Sequence, residues 1–124
     1  MADYRTESLP DAHLIEAHGE IDISNVFELT RQVLSALAAG ATAIVLDLSD
    51  VTHLDSSGLA AIISAHNQIA ETPGGKLALV LDEKRLRRTF ELRGLDNVFL
   101  IRSTREAAVE ALRDPGQPAV NPPA

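Results

Sequence analysis

The sequence predicts an α/β fold, four or five strands in a mixed sheet with helices packed largely on one side, and three observations carry that prediction. Ala43-Ile44-Val45-Leu46-Asp47-Leu48 is a short, nearly continuous apolar run, the pattern of a strand covered on both faces in the middle of a sheet. Leu59, Ile62, Ile63, His66 and Ile69 then repeat with a helical period before a second run, Lys76 to Leu81, so strand, helix and strand follow one another in about 40 residues. That is the length of a right-handed crossover between parallel strands. Aromatic residues make up only 3% of a chain that is 45% hydrophobic, so the core must be aliphatic side chains packed between layers.

Taken in order, the segment Tyr4 to Leu9 is a possible first strand, and His13 to His18 is a second that ends at Gly19. Val26, Leu29, Val33 and Leu37 line one face of a helix between Ser24 and Ala39. The central strand and the crossover helix follow. Pro73-Gly74-Gly75 marks the turn into the strand at Lys76. A third helix runs from Glu83 to Arg93, with Gly94 placed to take a left-handed cap, and Val98 to Ile101 reads as the last strand. Ser103 and Glu106 have capping-box spacing ahead of Ala107, Ala108, Ala111 and Leu112, which predicts a short final helix. Residues 114–124 hold four of the six prolines and read as a disordered tail, leaving 1–113 as one domain without internal repeats.

Composition removes several classes of function. With 124 residues there is room for one domain. No cysteine is present, which excludes thiolate nucleophiles, cysteine-ligated zinc and disulfides. Eighteen Asp and Glu against eleven Lys and Arg give a net charge of −7, which repels nucleic acid. No run approaches the roughly 20 apolar residues that span a bilayer, and the N-terminus lacks the apolar core of a signal peptide, so the expectation is a cytoplasmic protein without a membrane partner. The histidines at 13, 18, 53 and 66 have no ligand spacing, so neither a metal site nor a cofactor is expected. Gly74-Gly75-Lys76 lacks the rest of a phosphate loop, and Asp55-Ser56-Ser57-Gly58 lacks the leading glycine of a hydrolase elbow.

The informative segment is Asp55-Ser56-Ser57-Gly58, placed between the central strand and the crossover helix. Any of the first three residues can be the N-cap, since Asp and Ser both satisfy an orphan N–H there. Only one can do so, and a neighbouring hydroxyl is then left at a helix N-terminus, where free N–H groups and the helix dipole tolerate a phosphate.

The run Asp47-Leu48-Ser49-Asp50-Val51-Thr52-His53-Leu54-Asp55-Ser56-Ser57-Gly58-Leu59, with Gly19-Glu20-Ile21-Asp22 ahead of the first helix, resembles the bacterial anti-sigma factor antagonists, the stand-alone STAS-domain proteins. The likeness covers residues 10 to 113. It implies a STAS-like domain in which Ser56, the first serine of the turn, is phosphorylated by a serine kinase that doubles as the anti-sigma factor. It further implies that the unmodified form binds that kinase and frees the sigma factor, and that a metal-dependent serine phosphatase restores the modified form. Asp22, Asp55, Ser57 and Gly58 match positions of the turn and of the kinase-facing surface, and no catalytic residue is implied.

Two other readings remain: a STAS scaffold subunit of a lipid-transport or stress-signalling complex in which the serine is never modified, and a small hydrolase or nucleotide-binding enzyme. Among the remaining residues, Asp22 can equally open the first helix with Ser24 or Asn25 as cap. Lys84, Arg85, Arg87, Arg88 and Arg93 make a solvated basic face or meet an acidic partner, and His66 reads as a half-buried or rim residue.

Overall fold

The computed structural model describes residues 2–82 and 84–113. Ten elements follow one another: β1 (Ala2–Ser8), β2 (His13–Ile21), α1 (Val26–Ala38), β3 (Ala43–Leu54), α2 (Ser56–Glu71), β4 (Lys76–Val80), α3 (Lys84–Leu92), a 3-10 turn (Leu95–Asn97), β5 (Leu100–Arg102) and α4 (Arg105–Arg113). The five strands lie in sequence order across one sheet. β1 pairs antiparallel with β2, and the other three pairings are parallel, so the sheet is mixed and β3 is its middle strand. The tail at 114–124 and the first residue expected of the third helix, Glu83, lie outside the described residues.

Alternation along the strands divides the core in two. Ile15, Ile44, Leu46, Leu48 and Leu79 face α1, α2 and α3 and meet Leu29, Ile62, Ile69 and Phe90. Leu14, Val45, Ala78 and Val80 face the other way, where α4 alone covers them with Ala108 and Leu112. Three helices on one side and one on the other is the one-sided arrangement the sequence predicts.

The structure corrects several boundaries and one cap. β2 and β3 continue to Ile21 and Leu54, where Glu20 pairs with His53 and Ile21 with Leu54. Their ends escape the hydrophobic pattern because Ser49, Asp50, Thr52 and His53 are exposed, and the register shifts twice along the pair. α1 starts at Val26 rather than Ser24. The last strand starts at Leu100, not Val98, because the 3-10 turn that follows Gly94 (φ 70°) keeps Val98 and Phe99 bonded back to Leu95. α4 is capped by Thr104, whose Oγ1 accepts from the Ala107 N–H at 3.1 Å, while the expected cap, Ser103, instead accepts from Arg87 Nη1 at 3.2 Å.

Candidate functional site

The middle strand delivers the chain to the carboxyl edge of the sheet, and α2 begins there without a loop. Asp55 holds an extended backbone (φ −89°, ψ −177°), and its Oδ1 accepts from the Gly58 N–H at 3.0 Å, so Asp55 is the N-cap. Its own N–H donates to Ile21 O at 3.3 Å, which ties the turn to the end of β2. Gly58 is buried against that strand end. A Cβ built on it would lie 2.5 Å from Leu54 Cδ1 and 2.8 Å from Ile21 Cγ2, so only glycine lets α2 approach so closely.

With Asp55 as the cap, the two serines are left over. Ser56 is the first residue of α2 and is exposed, and Ser57 is half-buried. Neither hydroxyl has a hydrogen-bond partner among the described residues. The choice that the tetrapeptide left open is thus settled by backbone geometry. Ser56 presents its hydroxyl to solvent at the positive end of a 16-residue helix.

Asp22 stands one residue beyond Ile21, at the same edge. Its carboxylate accepts from both the N–H and the hydroxyl of Ser24, and these bonds, with His53 nearby, hold it below the usual carboxylate range. Asn25, the residue before α1, makes no side-chain cap; it accepts from the Asp22 N–H at 3.2 Å and donates to Glu20 O at 2.9 Å. Neither Ser24 nor Asn25 caps α1 through its side chain. The three residues brace a tight turn that keeps Asp22 charged and half-exposed beside the Ser56 turn.

On the α4 side of the sheet lies a polar cluster that the sequence reading missed. Asp47 is 3% exposed in the middle of β3, paired with Arg105, which also reaches Glu16 at 3.1 Å. Burial alone would push the Asp47 carboxyl up, but the Ser49 hydroxyl, the Ser49 N–H and Arg105 outweigh it and hold it below the usual range. His18 lies between Glu16 at 3.1 Å and Asp50 at 3.0 Å. A lone aspartate inside an apolar strand was the available signal. His66 is buried, not at the rim, with its ring edge-on to Phe99 at 4.9 Å. Among the described residues, no cluster of His, Asp and Glu could hold a metal ion, and no helix is long and apolar enough to cross a membrane.

A mixed sheet with this strand order, from whose middle strand a helix emerges at an exposed serine, is the architecture of a STAS domain, and the STAS domain profile matches residues 3–108. The chain belongs to the STAS domain family, in the group of anti-sigma factor antagonists. It is 33% identical over 95 residues to the anti-sigma-F factor antagonist RsfB of Mycobacterium tuberculosis, covering 77% of this chain and 76% of that protein. The crystal structure of an anti-sigma factor antagonist from Mycobacterium paratuberculosis superposes with a TM-score of 0.83 at 27% identity, covering 92% of this chain and 96% of the other. The unphosphorylated form of SpoIIAA, also an anti-sigma factor antagonist, shares the fold at a TM-score of 0.69 and 20% identity, covering 90% and 99% of the two chains.

Proposed function

We propose that this chain is a phosphorylation-gated antagonist: unmodified, it binds a serine kinase that acts as an anti-sigma factor and thereby releases a sigma factor. Phosphorylation of Ser56 by that kinase dissociates the complex, and a metal-dependent serine phosphatase restores the binding form. The observation that carries this reading is the exposed Ser56 hydroxyl, free of any bond among the described residues, at a helix start whose cap is supplied by Asp55. The resemblance to RsfB supports the kind of partner. The work is done in the cytoplasm, by binding and not by catalysis.

The gating needs no refolding. A phosphate adds roughly 1.5 to 2 negative charges next to Asp55 and near Asp22, and carrying that group into an interface without a cation opposite costs several kcal/mol. A hundredfold to thousandfold loss of affinity requires only about 3 to 4 kcal/mol. The α2 dipole and its free N–H groups stabilise the phosphate within the domain, so the modification disturbs docking and leaves the fold intact. Asp22, Asp55 and Ser57 would border the contact, and Gly58 would serve it by allowing the turn to lie close against β2.

The test is phosphate mapping. The chain is incubated with ATP and each purified anti-sigma serine kinase of its source genome, and the products are mapped by mass spectrometry. Modification at Ser56 that is absent from Ser56→Ala is the expected result; a kinase that binds and modifies only some other residue would overturn the reading.

A further inference from the structure

The chain has three phenylalanines, and they are treated very differently. Phe90 and Phe99 are buried against each other in the core, whereas Phe27 is 82% exposed on the first turn of α1. Ile23, four residues before it in the turn that precedes α1, is 69% exposed, and Leu34, two helical turns after it, is 46% exposed. The buried stripe of α1 is Val26, Leu29, Val33 and Ala36, so Phe27 and Leu34 lie on the outer face, which the fold does not need. Aromatic side chains, Phe among them, are enriched at protein interfaces relative to the rest of the surface.

Two features decide what covers it. Ile23 lies two residues past Ile21, whose carbonyl accepts from the Asp55 N–H, so the segment that carries the patch adjoins the Ser56 turn. An interface of standard size covers about 800 Å² on each partner, a disc of roughly 16 Å radius. A protein that reaches the Ser56 hydroxyl over such an area has room to cover Ile23, and with it Phe27 four residues on. A second copy of the chain is the weaker occupant, because two or three side chains fall well short of the roughly 800 Å² per partner that a stable dimer needs. The charge beside the patch fixes the partner's chemistry further: Glu20, Asp22 and Glu28 flank Ile23 and Phe27 in sequence, and of these Glu28 is paired with Arg31.

Resting on the function proposed above, we infer that Ile23 and Phe27 anchor the kinase that modifies Ser56, inserting into an apolar pocket ringed by Lys and Arg, and so select which kinase this antagonist serves. The anchor binds and takes no part in phosphoryl transfer, so its loss should raise KM and leave kcat unchanged.

The experiment measures steady-state phosphorylation of Ser56 by the kinase found to modify it, together with the Kd of the unmodified complex, for the wild type, Phe27→Gln and Leu92→Gln. Leu92 is a matched control, 74% exposed on α3. Circular dichroism melts confirm that each variant folds. The expected result is a KM and a Kd at least tenfold higher for Phe27→Gln at unchanged kcat, with Leu92→Gln within twofold of the wild type. Equal KM and Kd for Phe27→Gln and wild type would overturn the inference while leaving Ser56 gating intact. A dimer in light scattering that Phe27→Gln dissociates without changing kinase affinity would overturn it too, assigning the patch to a second copy. If no kinase modifies wild-type Ser56, the underlying function fails, and this inference falls with it.

Discussion

Single residues decide how the Ser56 turn is built. Asp55 satisfies one orphan N–H of α2, so Asp55→Ala should lower stability by about 1 kcal/mol in chemical denaturation. Gly58→Ala places a methyl against Leu54 and Ile21 and should cost about 1 to 3 kcal/mol, the larger of the two effects; a neutral result would mean that α2 does not pack as closely as described. His66 gives a pH signature. Burial holds its imidazole below the ordinary histidine range, so the unfolded chain takes up the proton first. Stability from this group is complete above about pH 6.5 and is lost as pH falls through the lower, folded value. Melting curves of the wild type between pH 7 and 5 should therefore drop more steeply than those of His66→Leu. At this scale the sequence was only partly legible. The strand-to-helix step exposed Asp55, Ser56 and Ser57 as a group, but choosing the cap took the extended backbone of Asp55. Asp47 stayed opaque because its cation, Arg105, lies 58 residues away.

Among the elements, the crossover from β3 through α2 to β4 was readable because it is continuous in sequence and its apolar period changes cleanly. The ends of β2 and β3 were not, since they hold together through backbone pairing while exposing polar side chains. α4 was foreseen as a helix, but its capping residue was not, because Ser103 is drawn to Arg87 on a different helix. Its place alone on the second face of the sheet makes α4 the most testable element. Arg105 at its first turn neutralises Asp47, so Arg105→Ala leaves a buried carboxylate unpaired. Arg105 is itself 42% exposed, so the loss should be about 2 kcal/mol, below the value for a fully buried pair. The folded Asp47 carboxyl is held low, so its contribution is complete above about pH 4 and disappears as pH falls through the folded value. The difference between wild type and variant should narrow in acid, and a difference independent of pH would contradict the pairing.

Across the whole molecule, strand order follows sequence order, so the uneven distribution of charge along the chain becomes an uneven distribution across the sheet. The β1–β2 side with α1 is strongly acidic, and α3, following β4, carries Lys84, Arg85, Arg87 and Arg88. Among the described residues the last core side chain is Leu112, and the Pro-rich sequence of 114–124 predicts that a chain ending at Arg113 melts within about 2 °C of the full chain, well inside the shift that 1 kcal/mol produces. The Ser56 turn lies at the carboxyl edge of the middle strand, between the acidic and basic flanks, where one added dianion meets whatever docks. The direct measurement is the affinity of the purified antagonist for its kinase before and after stoichiometric modification at Ser56, at matched salt, with intact-mass confirmation of one phosphate. A loss of at least a hundredfold, with the melting temperature preserved, is the predicted result. Equal affinity of the two forms would contradict the account.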